Sequence, residues 1–354
     1  MKSLIRELIL VLAIGLLSGC SASQAAPTPV APIVTPAASV PDSSFVLTED
    51  QTKSLASLKK VDDHPLYVMQ YYRDYAQGPT SSLAAMAAAP GAGAAPALAC
   101  SLFTVLLDGD HRLFGRNFDW EASPAVLVFS HPSDGYASVS TVDMTYLGIT
   151  DQTALKLMDL SLEKRAALLS APQFPLDGMN EHGLAIAMAI VPSGDMQEDP
   201  SKERIGSLAI IREILDHARK VDEAVDLIRH YNVYAGGLPL HYLIADARGK
   251  AVLVEFYQGE MHVIANDQPW HSATNFLRAS VEDPRGQCWR YDTMNTRLSE
   301  AHGLLDSKSA MSLLGEVAQG NTQWSVVYQM ARGEVSIAMD KDYANVHTFR
   351  MADY

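Results

Sequence analysis

The stretch from Cys100 to Asp119 constrains this chain more than any other. Cys100 to Leu107 alternates apolar residues at Phe103, Val105 and Leu107, which predicts a strand. Asp108-Gly109 is a hairpin turn signal, and Leu113 to Phe118 returns as the second strand. A hairpin closed there brings Arg116 and Asp119 back beside Cys100 by local geometry alone. The rest of the pattern must be built around that juxtaposition.

The chemistry of the trio leaves two readings open. A cysteine opening a strand is often a small buried hydrophobe, and an Arg–Asp pair three residues apart is often a structural ion pair. The other reading is a nucleophile. A nearby guanidinium lowers a thiol's pKa. If Cys100 is an amino terminus, its amine serves as base for its own thiol, and Asp119 accepts a hydrogen bond that holds the amine in place. Ser81 to Ala99 is built of small residues interrupted by Pro90, Gly91, Gly93 and Pro96. Such a segment suits a bond to be cut before Cys100, with Leu83 to Ala89 as a short helix within it.

Composition narrows the field. The chain of 354 residues has a formal net charge of −14, which argues against a nucleic-acid partner. Nearly half its residues (48%) are apolar, enough for a sizeable core. Three cysteines, Cys20, Cys100 and Cys288, form no C-x-x-C pair and no disulfide framework. His182, His241 and His271 show no metal-ligand spacing. Neither a metal nor a cofactor is expected. Cys288 is read as a buried or bystander thiol.

The amino terminus has its own logic. Lys2 and Arg6 precede an apolar run from Leu8 to Leu17, too short for a comfortable membrane span and suited to an export signal. Leu17-Ser18-Gly19-Cys20 resembles the lipobox of bacterial lipoproteins. The resemblance implies lipidation of Cys20, a lipid anchor in the cell envelope and, with Ser21 following, the periplasmic face of the outer membrane. An ordinary signal peptide cut after a small residue is the alternative. The expected organisation is a signal over 1–19, a tether over 20–46 rich in Ala, Pro, Ser and Thr, a pre-nucleophile segment over 47–99 and a catalytic chain over 100–354.

Along the chain, Thr48 with Gln51 fits a capping box, and Pro65 to Tyr72 predicts a strand. Further strands are expected over 126–129, 136–139, 184–191, 241–246, 251–257, 261–264, 324–330, 334–339 and 346–349. Helices are expected over 151–169, 208–218, 221–230, 289–301 and 307–316, with turn chemistry over Asp177 to Gly183. Strands in consecutive groups, separated by groups of helices, point to packed layers of antiparallel sheet and helix, an α+β class.

Gly115-Arg116-Asn117-Phe118-Asp119 after Cys100 resembles the opening of the mature chain in the choloylglycine hydrolase and linear amide C–N hydrolase family. Asp177 to Ala185, Ala273-Thr274-Asn275, Cys288-Trp289-Arg290-Tyr291 and Val61 to Met69 resemble further family segments in the same order. The resemblance implies an N-terminal-nucleophile fold, two antiparallel sheets sandwiched between helical layers (αββα). It also implies a small amide substrate and a thioester acyl-enzyme on Cys100 after self-cleavage at Ala99–Cys100. Arg116, Asp119, Asn275 and Arg290 would complete the site, with Asn275 at the oxyanion. Asn180 is read as structural, and Trp120, Tyr72 and Trp324 as possible pocket walls. Ile190 stands where bile-salt hydrolases carry an asparagine, so a backbone N–H is kept there while bile-salt specificity is put in doubt. An acyltransferase using the same intermediate, or a binding lipoprotein without activity, are the alternatives. Oligomeric state is left open.

Overall fold

The computed structural model describes residues 46–72, 100–107, 109–195, 197–234 and 239–354. The expected short helix at 83–89, the Ala99 side of the proposed cut, and Cys20 with its tether lie outside these residues. In chain order the strands are β1 (Lys59–Asp62), β2 (Leu66–Tyr71), β3 (Ser101–Val105), β4 (Leu113–Asp119), β5 (Ala125–Ser130), β6 (Ser138–Asp143), β7 (Asp177–Asn180) and β8 (Ala185–Ile190). They continue with β9 (Glu203–Gly206), β10 (Tyr231–Tyr234), β11 (Leu240–Ala245), β12 (Ala251–Tyr257), β13 (Glu260–Ala265), β14 (Trp270–Ala273), β15 (Thr322–Gln329), β16 (Glu334–Met339) and β17 (His347–Arg350). The helices are α1 (Glu49–Ala56), α2 (Asp151–Leu155), α3 (Ala209–His217), α4 (Val221–His230), α5 (Trp289–Glu300) and α6 (Ser307–Glu316). The capping box of Thr48 and Gln51 opens α1 as expected.

Among the described residues, nine strands form one sheet in the order β1-β2-β5-β6-β7-β8-β11-β12-β13, and six form another, β14-β3-β4-β15-β16-β17. Every pairing in both is antiparallel except β2 with β5. Helices α3 and α4 pack on the first sheet, α5 and α6 on the second, and β3 meets β8 and β11 across the gap. The result is the αββα sandwich.

Layering explains the burial. A middle strand is covered on both faces, so β3, β4, β5, β6, β8 and β11 show no exposed side. The period of two then chooses the layer rather than water or core. Leu102, Phe114 and Phe118 join the main core, whereas Phe103, Val105 and Leu113 pack with Met294, Leu298 and Leu314 beneath α5 and α6. In α4 the buried residues Val221, Ala224, Val225 and Ile228 follow the helical spacing. Each such Val or Ile side chain contributes about 1.5–3 kcal/mol on full burial.

Three expectations are corrected. The helix over 151–169 is broken: α2 ends at Leu155, and short 3₁₀ turns cover Leu157–Asp159 and Glu163–Gln173. The buried residues Arg165, Leu168 and Ala171 repeat every three positions, the 3₁₀ period, and Pro172 lies inside the segment. Arg165 donates to the carbonyls of Met158 and Leu160, which the break leaves without helical partners. The Asp177–Gly183 segment is not all turn. Asp177–Asn180 is strand β7, paired with β6, and the turn comes after it. Gly183 is obligatory in that turn, with φ at +71° and a Cβ placed there only 2.2 Å from the Met330 carbonyl oxygen. The strand over 136–139 is shifted to β6. Strands β1, β9, β10 and β14 are not evident from sequence pattern; each is four residues long.

Candidate active site

Cys100 stands just before β3, and the hairpin pairing of β3 with β4 sets Leu102 opposite Arg116 and Ser101 opposite Asn117. Strand β14 pairs on the other side of β3, with Ala273 opposite Leu102, and so delivers Asn275 to the same end. The buried face of α5 carries Arg290, Tyr291, Met294 and Leu298, which turns Arg290 inward. Thus five predicted residues converge from four elements of the six-stranded sheet and its helix layer.

Their bonds are specific. The Cys100 backbone nitrogen donates to Asn275 Oδ1 at 2.6 Å. Arg290 donates from Nη1 to the Cys100 carbonyl and to Ser101 Oγ, and from Nη2 to Asn275 Oδ1 at 3.0 Å. Asn275 Nδ2 donates to the Ile190 carbonyl at 2.6 Å, across the gap between sheets. Two donors on the oxygen and a carbonyl at the nitrogen fix which way the amide faces. A strand residue points its N–H and C=O to one side, so the Ile190 N–H faces the site as its carbonyl does.

Arg116 is fully buried and ion-paired to Asp177 of β7, whose carboxylate also accepts from the Tyr328 hydroxyl. Among the described residues, two of its nitrogens, Nε and Nη2, have no oxygen acceptor, and its charge bears on the Cys100 thiol. Burial nonetheless pushes that thiol above its ordinary pKa, with the Asp119 charge adding to it; Arg116 and the Asp119 backbone N–H pull the other way. The expected lowering of the thiol pKa is therefore corrected, because desolvation of a buried thiolate outweighs one guanidinium.

A second correction concerns Asp119. Its carboxylate accepts from Thr322 Oγ1 at 2.5 Å and Gln319 Nε2 at 2.9 Å, both from the α6–β15 side. Asn275, not the Asp119 side chain, meets the Cys100 nitrogen. The period of two explains this: Arg116 and Asp119, an odd number of residues apart, leave β4 on opposite faces. Burial raises the Asp119 carboxyl above the usual aspartate range, against the hydrogen bonds from Thr322 and Gln319. The folded chain thus holds that proton more tightly than the unfolded chain. Its contribution to stability is fully present below the unfolded pKa, about 4, and falls as pH rises through the raised value. In Asp119→Asn this decline should vanish. The melting temperature of the variant relative to wild type should climb between about pH 4 and pH 7; a difference that stays flat with pH would refute the assignment.

A narrow cavity of about 10 Å³, room for about one water, lies beside the thiol, walled by Phe118, Trp120, Tyr146, Met188 and Ile190. Burial first, and then Asp143, push the Tyr146 hydroxyl up to about 12, so it stays a neutral donor. Of the expected aromatic walls, Trp120 lines the cavity. Trp324 is core, stacked on Phe118 at 4.1 Å. Tyr72 lies away from the site, beside Lys59 and Gln70. Asn180 is structural: it accepts from the His182 and Leu184 N–H groups and donates to the Leu215 and Ala218 carbonyls. Cys288 is part-exposed and precedes α5, with no side-chain cap bond. Asp177, Tyr328 and Tyr146 escape sequence reasoning. Only the position of Asp177 at the head of the D-G-M-N-E-H-G run hinted at its importance.

Comparison with known proteins agrees with this geometry. Two variants of the conjugated bile acid hydrolase of Clostridium perfringens share the fold at 16% identity, with TM-scores of 0.50 and 0.51. Each comparison covers 72% of this chain and 93% of the other. The penicillin V acylase of Agrobacterium tumefaciens is similar at 16% identity and a TM-score of 0.48, over 72% of this chain and 86% of its own. Comparison with curated proteins brings no match. Residues 100–279, half of the chain, match the family described as linear amide C-N hydrolases, choloylglycine hydrolase family. The β3–β4 hairpin, the D-G-M-N-E-H-G strand and Asn275 all fall inside that match, and the chain therefore belongs to the choloylglycine hydrolase family of linear amide C–N hydrolases.

Proposed function

We propose that Cys100 becomes the amino-terminal nucleophile of an amidohydrolase after the chain cuts its own Ala99–Cys100 bond. In the cut, Cys100 Sγ attacks the Ala99 carbonyl carbon, and the C–N bond breaks as the Cys100 nitrogen takes up the thiol proton. Water then hydrolyses the resulting thioester, leaving a free thiol, a free amine and a carboxylate on Ala99. The observation that carries this reading is the bond from the Cys100 nitrogen to Asn275 Oδ1. It holds the nitrogen in place before the cut, and it serves equally to orient an amine afterwards.

In turnover the amine accepts the thiol proton, and the thiolate adds to the acyl carbon of a linear amide. The oxyanion is met by the second N–H of Asn275 Nδ2 and by the Ile190 N–H. An oxyanion donor of this kind is worth about 2.7–4 kcal/mol. The amine returns the proton to the departing nitrogen, and water, deprotonated by the same amine, releases the acid from the thioester. Arg116 stabilises the thiolate. Arg290 holds the Cys100 carbonyl and the Asn275 amide in register. The apolar walls of the cavity favour an apolar acyl group. The Leu17-Ser18-Gly19-Cys20 segment supports anchoring of the enzyme in the cell envelope through a lipidated Cys20.

Intact-mass analysis of the purified wild-type protein, with N-terminal sequencing, tests the cut. Two associated chains are expected, the second beginning at Cys100. The same preparation should release acid and amine from N-hexanoyl-para-nitroanilide. A single intact chain with no release would overturn the reading, and transfer of the acyl group to added glycine in preference to water would reassign the enzyme as an acyltransferase.

A further inference from the structure

A buried histidine–glutamate pair outside the site reaches it through one short segment. His241 on β11 and Glu255 on β12 are both fully buried, and His241 Nδ1 lies 2.9 Å from Glu255 Oε1. They extend the cross-strand register in which Tyr242 faces Val254. The carboxylate is not satisfied within its own sheet. It accepts from the backbone N–H of Arg278 at 3.0 Å and of Ala279 at 2.7 Å. Those two residues follow β14 of the opposite sheet, three and four positions after Asn275. The segment from Asn275 to Ala279 is thereby tied to the nine-stranded sheet at both ends, by the Ile190 carbonyl at Asn275 and by Glu255 at 278–279.

The tie extends to the other half of the site. Arg278 Nη1 donates to the Tyr291 hydroxyl at 2.5 Å, and Tyr291 adjoins Arg290 on α5. Shifting the segment would therefore move both the Asn275 amide and the start of the helix that carries Arg290. A buried carboxylate in such a position is a poor source of stability, since apolar residues of similar volume commonly do as well or better. What it supplies is direction. A carboxylate with three converging donors fixes backbone atoms more narrowly than an apolar contact, which has no preferred angle. Among the described residues, His241 Nε2 has no hydrogen-bond partner, so the Glu255 contact is the one that orients the ring.

We propose that Glu255, held by His241, is a positioning residue for the reaction: it sets the Asn275 segment so that the amide meets the Cys100 nitrogen and the oxyanion together. The proposal rests on the catalytic reading above and predicts a defect in turnover rather than in substrate binding.

The test compares wild type with Glu255→Gln, which keeps the volume but turns an amide NH₂ against donors. Steady-state hydrolysis of N-hexanoyl-para-nitroanilide should show kcat lower by about tenfold or more with KM within about threefold, the size expected from sub-ångström misplacement. Hydrogen exchange of the peptide spanning 274–280 should quicken about tenfold or more, while the 113–119 strand is unchanged. Alkylation of Cys100 by iodoacetamide should stay within about twofold, because burial and the charges of Arg116 and Asp119, not Glu255, set the thiol. Unchanged exchange over 274–280 overturns the tie. Faster exchange with unchanged kcat, or alkylation falling in step with kcat, overturns the positioning role. If Glu255→Gln does not fold, Glu255→Asp, which keeps the carboxylate but draws it back by one methylene from the Arg278 and Ala279 N–H groups, is read by the same measurements and the same limits. Should wild type fail to hydrolyse the amide, the catalytic reading falls, while exchange over 274–280 still decides whether Glu255 holds the segment.

Discussion

Cys100→Ala should yield one uncut chain, retaining residues 47–99 joined to the β3 strand, and turnover lower by about 10⁶-fold, the order lost when an activated nucleophile is removed. Both losses have one origin. The sulfur that would open the Ala99–Cys100 bond is the sulfur that would carry the acyl group, so no residual route to the thioester remains. The backbone nitrogen and its bond to Asn275 Oδ1 survive the substitution, and the fold should be intact by circular dichroism. Mass spectrometry reads the first loss and para-nitroaniline release the second. A Cys100→Ala protein still cut before residue 100 would show that another agent makes the cut. Appreciable hydrolysis by that protein would remove Cys100 from the chemistry.

Asp177→Ala should cost about 3–5 kcal/mol of folding stability, the penalty for leaving a buried charge without its partner. Arg116 has no exposed surface, and Asp177 is the anion ion-paired to it. The Tyr328 hydroxyl loses an acceptor in the same change, although Thr141 Oγ1 remains 3.1 Å away. Urea unfolding on the Cys100→Ala background keeps a single chain and makes the comparison clean. The double variant Asp177→Ala with Arg116→Met should recover much of the loss, since removing both charges leaves no unpaired one. A single-variant cost below about 1 kcal/mol, within the range of an exposed pair, would show that the guanidinium is compensated elsewhere.

Much of the architecture is legible in pattern because local rules and layers agree. The hairpin of β3 and β4, the capping box at Thr48, the α3–α4 and α5–α6 helix pairs and the strands from β11 to β13 follow from periodicity and turn residues. The 151–169 segment shows where such reasoning fails. Its apolar spacing fits a helix as well as it fits a chain of 3₁₀ turns, and packing against α1 and α3 chooses between them. Strand β14 is four residues long, too short to register as a pattern, yet it decides where Asn275 stands.

Within the site, residue types along the chain determine that a thiol, two arginines, a carboxylate and an amide are available. The hairpin alone determines that Cys100 and Arg116 are near neighbours, because an antiparallel register is a local property. Which group meets which atom is decided only in three dimensions. The partner of Arg116 is Asp177 from the opposite sheet, and the partner of the Cys100 nitrogen is Asn275 rather than Asp119. Even the direction of the thiol's pKa is a tertiary property. A sequence shows the neighbouring charge, whereas the water removed by two sheets and their helices is set by the packed fold, and for a buried sulfur that second effect is the larger.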